Sequence, residues 1–174
     1  MIGKDGSMFH NDYVNTVREY LYRYHEFTQY IKNVEADIKD CQAELDLEPT
    51  LSSPSLSPTG GCGGGEKTSE QERWYIRREE LQGKIEEYSH ELQRLGPMMA
   101  RLNRSLDAIG DISETDKMIL VDRFIDKASW DFVARHTNSS VGYCRKRSCA
   151  ALETLARMMF GPDADGPVAF FREP

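Results

Sequence analysis

Basic side chains are concentrated in one short segment toward the end of the sequence. Residues 135–157 contain Arg135, Arg145, Lys146, Arg147 and Arg157 but a single acidic residue, an excess of four positive charges. The whole chain carries a net charge of −7, so the remainder stands at −11. Guanidinium and ammonium groups bind phosphate oxygens. An acidic body with one basic segment would therefore let a polyanion approach from one side only.

The residues around this cluster predict a helix that presents it outward. Ser140 can cap a helix over 141–159, and helical spacing places Tyr143 and Lys146 on its outer face. Gly142 is small enough to let a groove wall approach the backbone closely. The candidate binding residues are Ser139, Ser140, Val141, Gly142, Tyr143, Arg145, Lys146 and Arg147, with Arg135 and Arg157 toward the flanks. A solvated basic face on a protein-binding module is the alternative interpretation.

Three helix starts and one tight turn surround this segment. Ser113, Ser129 and Ser140 each stand where a side chain can cap the helix that follows. Asn138 accepts the left-handed backbone conformation that follows a helix end. The predicted order is a helix, a short helix, a tight turn and a longer helix. This is the order of a helix-turn-helix unit. The expected inward positions are Met118, Ile119, Val121, Phe124, Ile125, Trp130, Val133, Ala134, Cys144, Ser148, Ala151, Leu152, Leu155 and Met159.

Two long stretches upstream carry matching apolar stripes at alternating spacings of three and four residues. The first, over 14–45, predicts one helix capped at Asn11 or Asp12; the second covers 74–109. Because each stripe can bury the other, we expect a long antiparallel helical hairpin, a coiled-coil-like arm. The predicted fold class is therefore all-α, with this arm followed by a small C-terminal helix-turn-helix unit of three helices.

A stretch rich in Ser, Pro and Gly, at about 47–70, separates the two stripes. It has too little apolar surface to offset its ordering entropy, so we expect a disordered loop. Its 60–68 portion approaches the phosphate-loop pattern, but Glu66 interrupts the pattern and no strand precedes it. Pro97 interrupts the second stripe without shifting its phase, which favours a kink over a stop. The expected domains are the arm over 1–110, the helix-turn-helix unit over 111–161 and a flexible tail over 162–174.

The sequence predicts neither catalysis nor a bound cofactor or metal. Its four cysteines form no C-x-x-C pair, and its four histidines lie on separate elements, so no ligand set or nucleophile with its base can be assembled by spacing. No apolar run approaches the length of about 18 residues that spans a bilayer, and the first residues lack a signal-peptide core. We therefore expect a non-enzymatic cytoplasmic protein without membrane contact.

Residues 106–160, and above all the stretch SWDFVARHTNSSVGYCRKRSCAALETLARMMFG, resemble the region-4 helix-turn-helix of sigma-70-type factors. They are still more similar to the small phage and prophage regulators of the RinA and ArpU type, found in Gram-positive bacteria. On this resemblance Ser140 falls on the capping residue before the recognition helix. The first-helix core and the closing A-L-x-x-L motif fall on Trp130, Val133, Ala134, Ala151, Leu152 and Leu155. The departures are Thr137, Asn138 and Ser139 in place of Leu, Gly and Ile, and Gly142 and Tyr143 in place of a polar pair.

The resemblance implies a sequence-specific DNA-binding activator of phage or prophage genes in the cytoplasm of the bacterial host cell. Its partners would be double-stranded DNA, read in the major groove by the helix over 141–159, and bacterial RNA polymerase or a second copy of the chain. Two other classes remain open. A small terminase subunit or packaging adaptor also combines a helix-turn-helix with oligomerising helices, although we expect its DNA-binding unit at the amino end. A coiled-coil partner-binding protein would never contact DNA.

Overall fold

The computed structural model describes residues 8–47, 70–161 and Ala164, and over these residues the protein is all-helical, which confirms the predicted class. The elements are α1 (Met8–Tyr22), α2 (Tyr24–Asp46), α3 (Glu70–Ile112), α4 (Glu114–Leu120), a π-helical turn (Val121–Ile125), α5 (Trp130–His136) and α6 (Val141–Phe160). The predicted disordered loop and the predicted tail lie outside the described residues, apart from Leu47, Glu70 and Ala164.

Packing divides the chain into two compact units. One, which we call the discontinuous unit, combines Met1–Gln29 with Gly96–Pro174, and the other, the hairpin unit, is Tyr30–Leu95. The domain boundary predicted at residue 110 therefore differs from the structure. The physical reason is that α1 packs against α6 and the π-helical turn. Its Val17 and Leu21 side chains are completely buried, so α1 belongs to the discontinuous unit and not to an arm.

The discontinuous unit is held together by apolar packing and by contacts between distant parts of the sequence. The rings of Tyr22 and Phe124 meet edge to face, 5.5 Å between centroids. The Tyr24 hydroxyl donates a hydrogen bond to the Asn103 side-chain oxygen over 2.9 Å. The α3 side chains that complete this core are Met99, Leu102, Leu106 and Ile109, all buried. The second half of the predicted α3 stripe therefore packs in this unit and not in a separate arm.

The hairpin unit has the antiparallel arrangement that the stripes predict. Tyr30, early in the first helical segment, donates to the carboxylate of Glu91 late in the second. At the opposite end, Arg77 donates two hydrogen bonds, of 2.8 and 3.1 Å, to Glu44. Val34 is the buried residue of α2, whereas the predicted stripe passes from Ile31 to Ile38 and omits it.

Two details of the long helices differ from the predictions. The single helix expected over 14–45 is divided at Arg23, and it begins at Met8 and not after Asn11 or Asp12. The interruption is confined to one residue, because the Arg23 amide still bonds to Glu19 and the Arg23 carbonyl to Phe27. Just beyond it, the Thr28 hydroxyl bonds to the carbonyl four residues back, a contact that bends helices. As predicted, α3 does not stop at Pro97.

Candidate nucleic-acid interface

The predicted helix-turn-helix is present as α5, a turn over 137–140, and α6. The Ser129 hydroxyl caps α5 by accepting from the Phe132 amide at 3.2 Å, and the Ser140 hydroxyl caps α6 by accepting from the Tyr143 amide at 3.2 Å. Asn138 has the predicted left-handed conformation, with φ of 49°. These local signals confirm how the sequence fixes the start and direction of α6.

The two helices share a small apolar core with α4. Ile119, Val133, Ala134 and Cys144 are buried together. All six predicted inward residues of α6, from Cys144 to Met159, are buried, so the rotation of this helix about its axis agrees with the prediction. The helix expected around Met118–Ile125 is different in detail, because it becomes a π-helical turn from Val121 onward. Met118, Val121 and Trp130 are half-buried and not fully inward.

Arg145 lies at one flank of α6 against an aromatic ring. Its guanidinium carbon is 5.8 Å from the centroid of the Trp130 ring, and the guanidinium of Arg123 lies 5.0 Å from the same ring. Cation–π attraction favours both positions. Arg123 also donates to the Ala128 carbonyl at 2.7 Å. Trp130 thus has a positioning role that its place in the predicted core did not suggest.

Arg147 lies at the opposite flank and is engaged by a buried carboxylate. Its Nε is 2.6 Å from Asp116 Oδ1, and the Asp116 side chain is only 11% exposed. This hydrogen bond, with the charge of Asp116, raises the pKa of Arg147. The predicted role of Arg147 in phosphate binding is therefore joined by a structural one, which attaches α6 to α4.

Three other predicted binding residues are also occupied within the fold. Val141 is half-buried and packs against the small core, which corrects its predicted place on the outer face. Ser139 is half-buried, and its hydroxyl donates to the Thr137 carbonyl over 3.1 Å. The Ser140 side chain serves as the helix cap. We therefore remove Val141 from the candidate readers and regard the two serines as framework.

Arg135 and Arg157 remain exposed at the flanks, as predicted. Arg135 donates to the Asp131 carbonyl one turn earlier in α5 over 3.2 Å. Arg157 lies in the last turn of α6, where it reaches the Thr154 hydroxyl at 3.4 Å. Both arginines therefore stay candidates for phosphate contacts at the flanks.

The centre of the outer face is formed by Gly142, Tyr143 and Lys146, all exposed as predicted. A side-chain carbon placed at Gly142 would find open space, so a ligand can approach the backbone there. A recess of about 300 Å³ opens beside Tyr143 and Lys146, and it is lined also by Arg147 and Ala150. Sequence reasoning missed Ala150, although its position one turn after Lys146 could have indicated it.

His136 ends α5 and makes a hydrogen-bond contact that the sequence could not indicate. Its Nδ1 lies 2.6 Å from Asp122 Oδ2 on the π-helical turn, and the Asp122 side chain is only 10% exposed. The imidazole is thus held by a carboxylate 14 residues away. We assign it a place in the framework behind the interface.

The described residues contain no group of three or more metal-ligating side chains. None of the described helices is long and apolar enough to cross a membrane. No protein-family model matches the chain, and comparisons with curated proteins and with solved structures give no match.

Proposed function

We propose that this protein is a sequence-specific DNA-binding transcriptional regulator whose helix α6 lies in the major groove. One observation carries the proposal. A capped α6, set by a tight turn after α5, exposes Gly142, Tyr143 and Lys146 between two arginines at its flanks. A helix presented this way, with its amino-terminal turns outward, is how helix-turn-helix proteins meet base edges.

The charge distribution supports the same orientation. The excess of four positive charges in 135–157 contrasts with −11 for the remaining residues. Phosphates are attracted to α6 and repelled by the acidic remainder of the chain. The affinity for duplex DNA should accordingly fall steeply as the salt concentration rises.

The resemblance to phage regulators supports a role in activating phage or prophage genes inside a bacterial cell. In that role the hairpin unit would contact bacterial RNA polymerase or a second copy of the chain. Its exposed apolar side chains support such a contact: Tyr75 and Ile76 on α3 are 66% and 51% exposed. Large apolar side chains at a surface are typical of protein interfaces.

The test is competition binding, in which a selected duplex site competes with random duplex for the parent protein and three variants. Removing a base-reading side chain lowers affinity for the selected site and hardly changes binding to random DNA. We expect Lys146→Ala and Tyr143→Ala each to reduce the difference in binding free energy between the selected site and random duplex by about 1–3 kcal/mol. We call this difference the gap.

Arg157→Ala is the control for this experiment. Arg157 lies 11 residues beyond Lys146, about 16 Å along the helix axis, where it would touch phosphate and not bases. The control should weaken both kinds of binding alike and leave the gap nearly unchanged. If the protein were a packaging adaptor or a structural protein, the parent should show no comparable gap. Parallel loss in all three variants would show that Tyr143 and Lys146 are not the readers.

A further inference from the structure

The recess on the outer face of α6 has a composition unusual for a basic surface. Its described lining is Tyr143, Lys146, Arg147 and Ala150, and its wall is mainly carbon. Tyr143, Lys146 and Ala150 are spaced three and four residues apart, so they follow one another along a single face of the helix. Ala150 is exposed there, with only a methyl group as its side chain.

The two neighbouring arginines are each engaged by another group, although Arg147 also lines the recess. Arg145 is drawn toward the Trp130 ring, and Arg147 toward the buried carboxylate of Asp116. Within the described part of the chain, Lys146 has no hydrogen bond or ion pair, so its ammonium group is available to a ligand. The recess therefore combines the ammonium group of Lys146 with a largely apolar wall, to which the Tyr143 ring and the Ala150 methyl contribute, and the paired guanidinium of Arg147 borders it.

The major groove offers one apolar group that fits such a surface, the C5-methyl of thymine. Alanine side chains and aromatic rings contact this methyl in direct readout, whereas a lysine addresses the O6 and N7 acceptors of guanine. We propose that the recess is a thymine-reading site, in which the Ala150 methyl contacts the C5-methyl of one thymine. Lys146 then addresses a neighbouring base. This inference rests on the proposed function, because it places α6 in the major groove.

The flanking charges favour duplex DNA over a protein as the occupant. Arg135, Arg145 and Arg157 are exposed around the same helix, and a nucleic-acid duplex supplies phosphates on both sides of the groove that contains its base edges. Gly142 leaves space for the backbone of α6 to approach the groove closely. An apolar side chain of a partner protein could fill the recess, but it would leave those flanking cations without a binding role.

The experiment uses the full chain and a duplex site selected by it from random sequence. Each thymine of that site is replaced in turn by uracil, which removes the C5-methyl and leaves the pairing edge unchanged. Burial of one methyl group is worth a factor of about three to five in affinity. We expect one substituted position to lose binding by that factor in the parent protein, and Ala150→Ser to abolish this sensitivity.

Cys149→Ser is the matched control. Cys149 is exposed and adjacent to Ala150, but it does not line the recess, so this variant should keep the parent's sensitivity to the methyl. Ala150→Ser should preserve the fold, because the Ala150 carbonyl that accepts the Thr154 hydroxyl at 2.9 Å is unchanged. Circular dichroism of both variants checks this.

The outcomes separate the two proposals. If the parent selects a site but tolerates uracil at every position, or if Ala150→Ser stays as sensitive as the parent, the thymine assignment is overturned and the regulator stands. If the parent shows no preference over random duplex, both are overturned. Sensitivity in the parent and in Cys149→Ser, lost only in Ala150→Ser, supports the assignment.

Discussion

Arg145 and Arg147 are only two residues apart in α6, but they have different roles because their neighbours differ. Arg145 lies against the Trp130 ring at the protein surface, where its guanidinium stays solvated. Arg147 neutralises a carboxylate that is almost withdrawn from water. An unpaired buried charge is far more costly than an unpaired exposed one. Removing both together would therefore mix a loss of DNA contacts with a loss of stability.

At the residue scale we predict that Arg147→Ala lowers the free energy of unfolding, since it leaves the Asp116 carboxylate, only 11% exposed, without its partner. Arg145→Ala should change it much less, because exposed contacts contribute little. Urea denaturation of the two variants measures the difference. In the double variant with Asp116→Ala, the cost of Arg147→Ala should shrink. Equal effects of the two single substitutions would contradict the structural role of Arg147.

At the scale of the element, the sequence predicts α5, the turn and α6 well because their signals are local. A cap joins a side chain to an amide three residues ahead, as at Ser129 and Ser140, and Asn138 supplies its own left-handed turn. The pairs Asp116–Arg147 and Asp122–His136 span 31 and 14 residues. They form only after packing has brought α4 to α6 and the π-helical turn to α5, so no spacing in the sequence indicates them. The division of the first helix at Arg23 likewise has no Gly or Pro to predict it.

In the hairpin unit, the Glu44–Arg77 pair makes stability depend on pH. The hydrogen bond from Arg77 lowers the pKa of Glu44, so the pair stabilises the folded unit above the ordinary glutamate pKa and is lost as pH falls through the lowered one. We expect the parent to have a higher melting temperature than Arg77→Gln at about pH 6, and this difference to vanish toward about pH 3.

Thermal unfolding followed by circular dichroism at several pH values measures this effect. Arg73→Gln is a matched control, because Arg73 is an exposed arginine one helical turn earlier in α3. It should show a smaller dependence on pH. A difference between the parent and Arg77→Gln that persists at low pH would show that Arg77 acts by packing and not by charge.

At the scale of the whole molecule, the unit that contains α5 and α6 is completed by residues from the other end of the sequence. Leu21 of α1 has no exposed surface, and α1 packs directly on α6. The apolar stripe alone could not show this, because a stripe identifies a buried face without identifying what covers it. The same ambiguity led the prediction to assign α1 to the arm.

We therefore predict that Leu21→Ala destabilises α6, although Leu21 lies 120 residues before the start of that helix. Replacing a fully buried leucine by alanine lowers the free energy of unfolding by about 2–5 kcal/mol. Hydrogen exchange at the amides of α6 should therefore become faster. Val34→Ala, at a buried position of the hairpin unit, is the control and should leave α6 exchange unchanged. An α6 that exchanges at the parent's rate in Leu21→Ala would mean that α1 is dispensable to it.

The packing of α1 on α6 also determines how long α1 stays unpacked while the protein is being synthesised. A ribosome synthesises α1 before α6, and the other described helices come between them. At ordinary elongation rates, the apolar face of α1 waits on the order of ten seconds for its partner. Contacts so distant along the chain slow folding as well. During that interval the nascent protein exposes Val17 and Leu21, which are buried in the folded protein, and chaperones that bind exposed apolar segments can bind there.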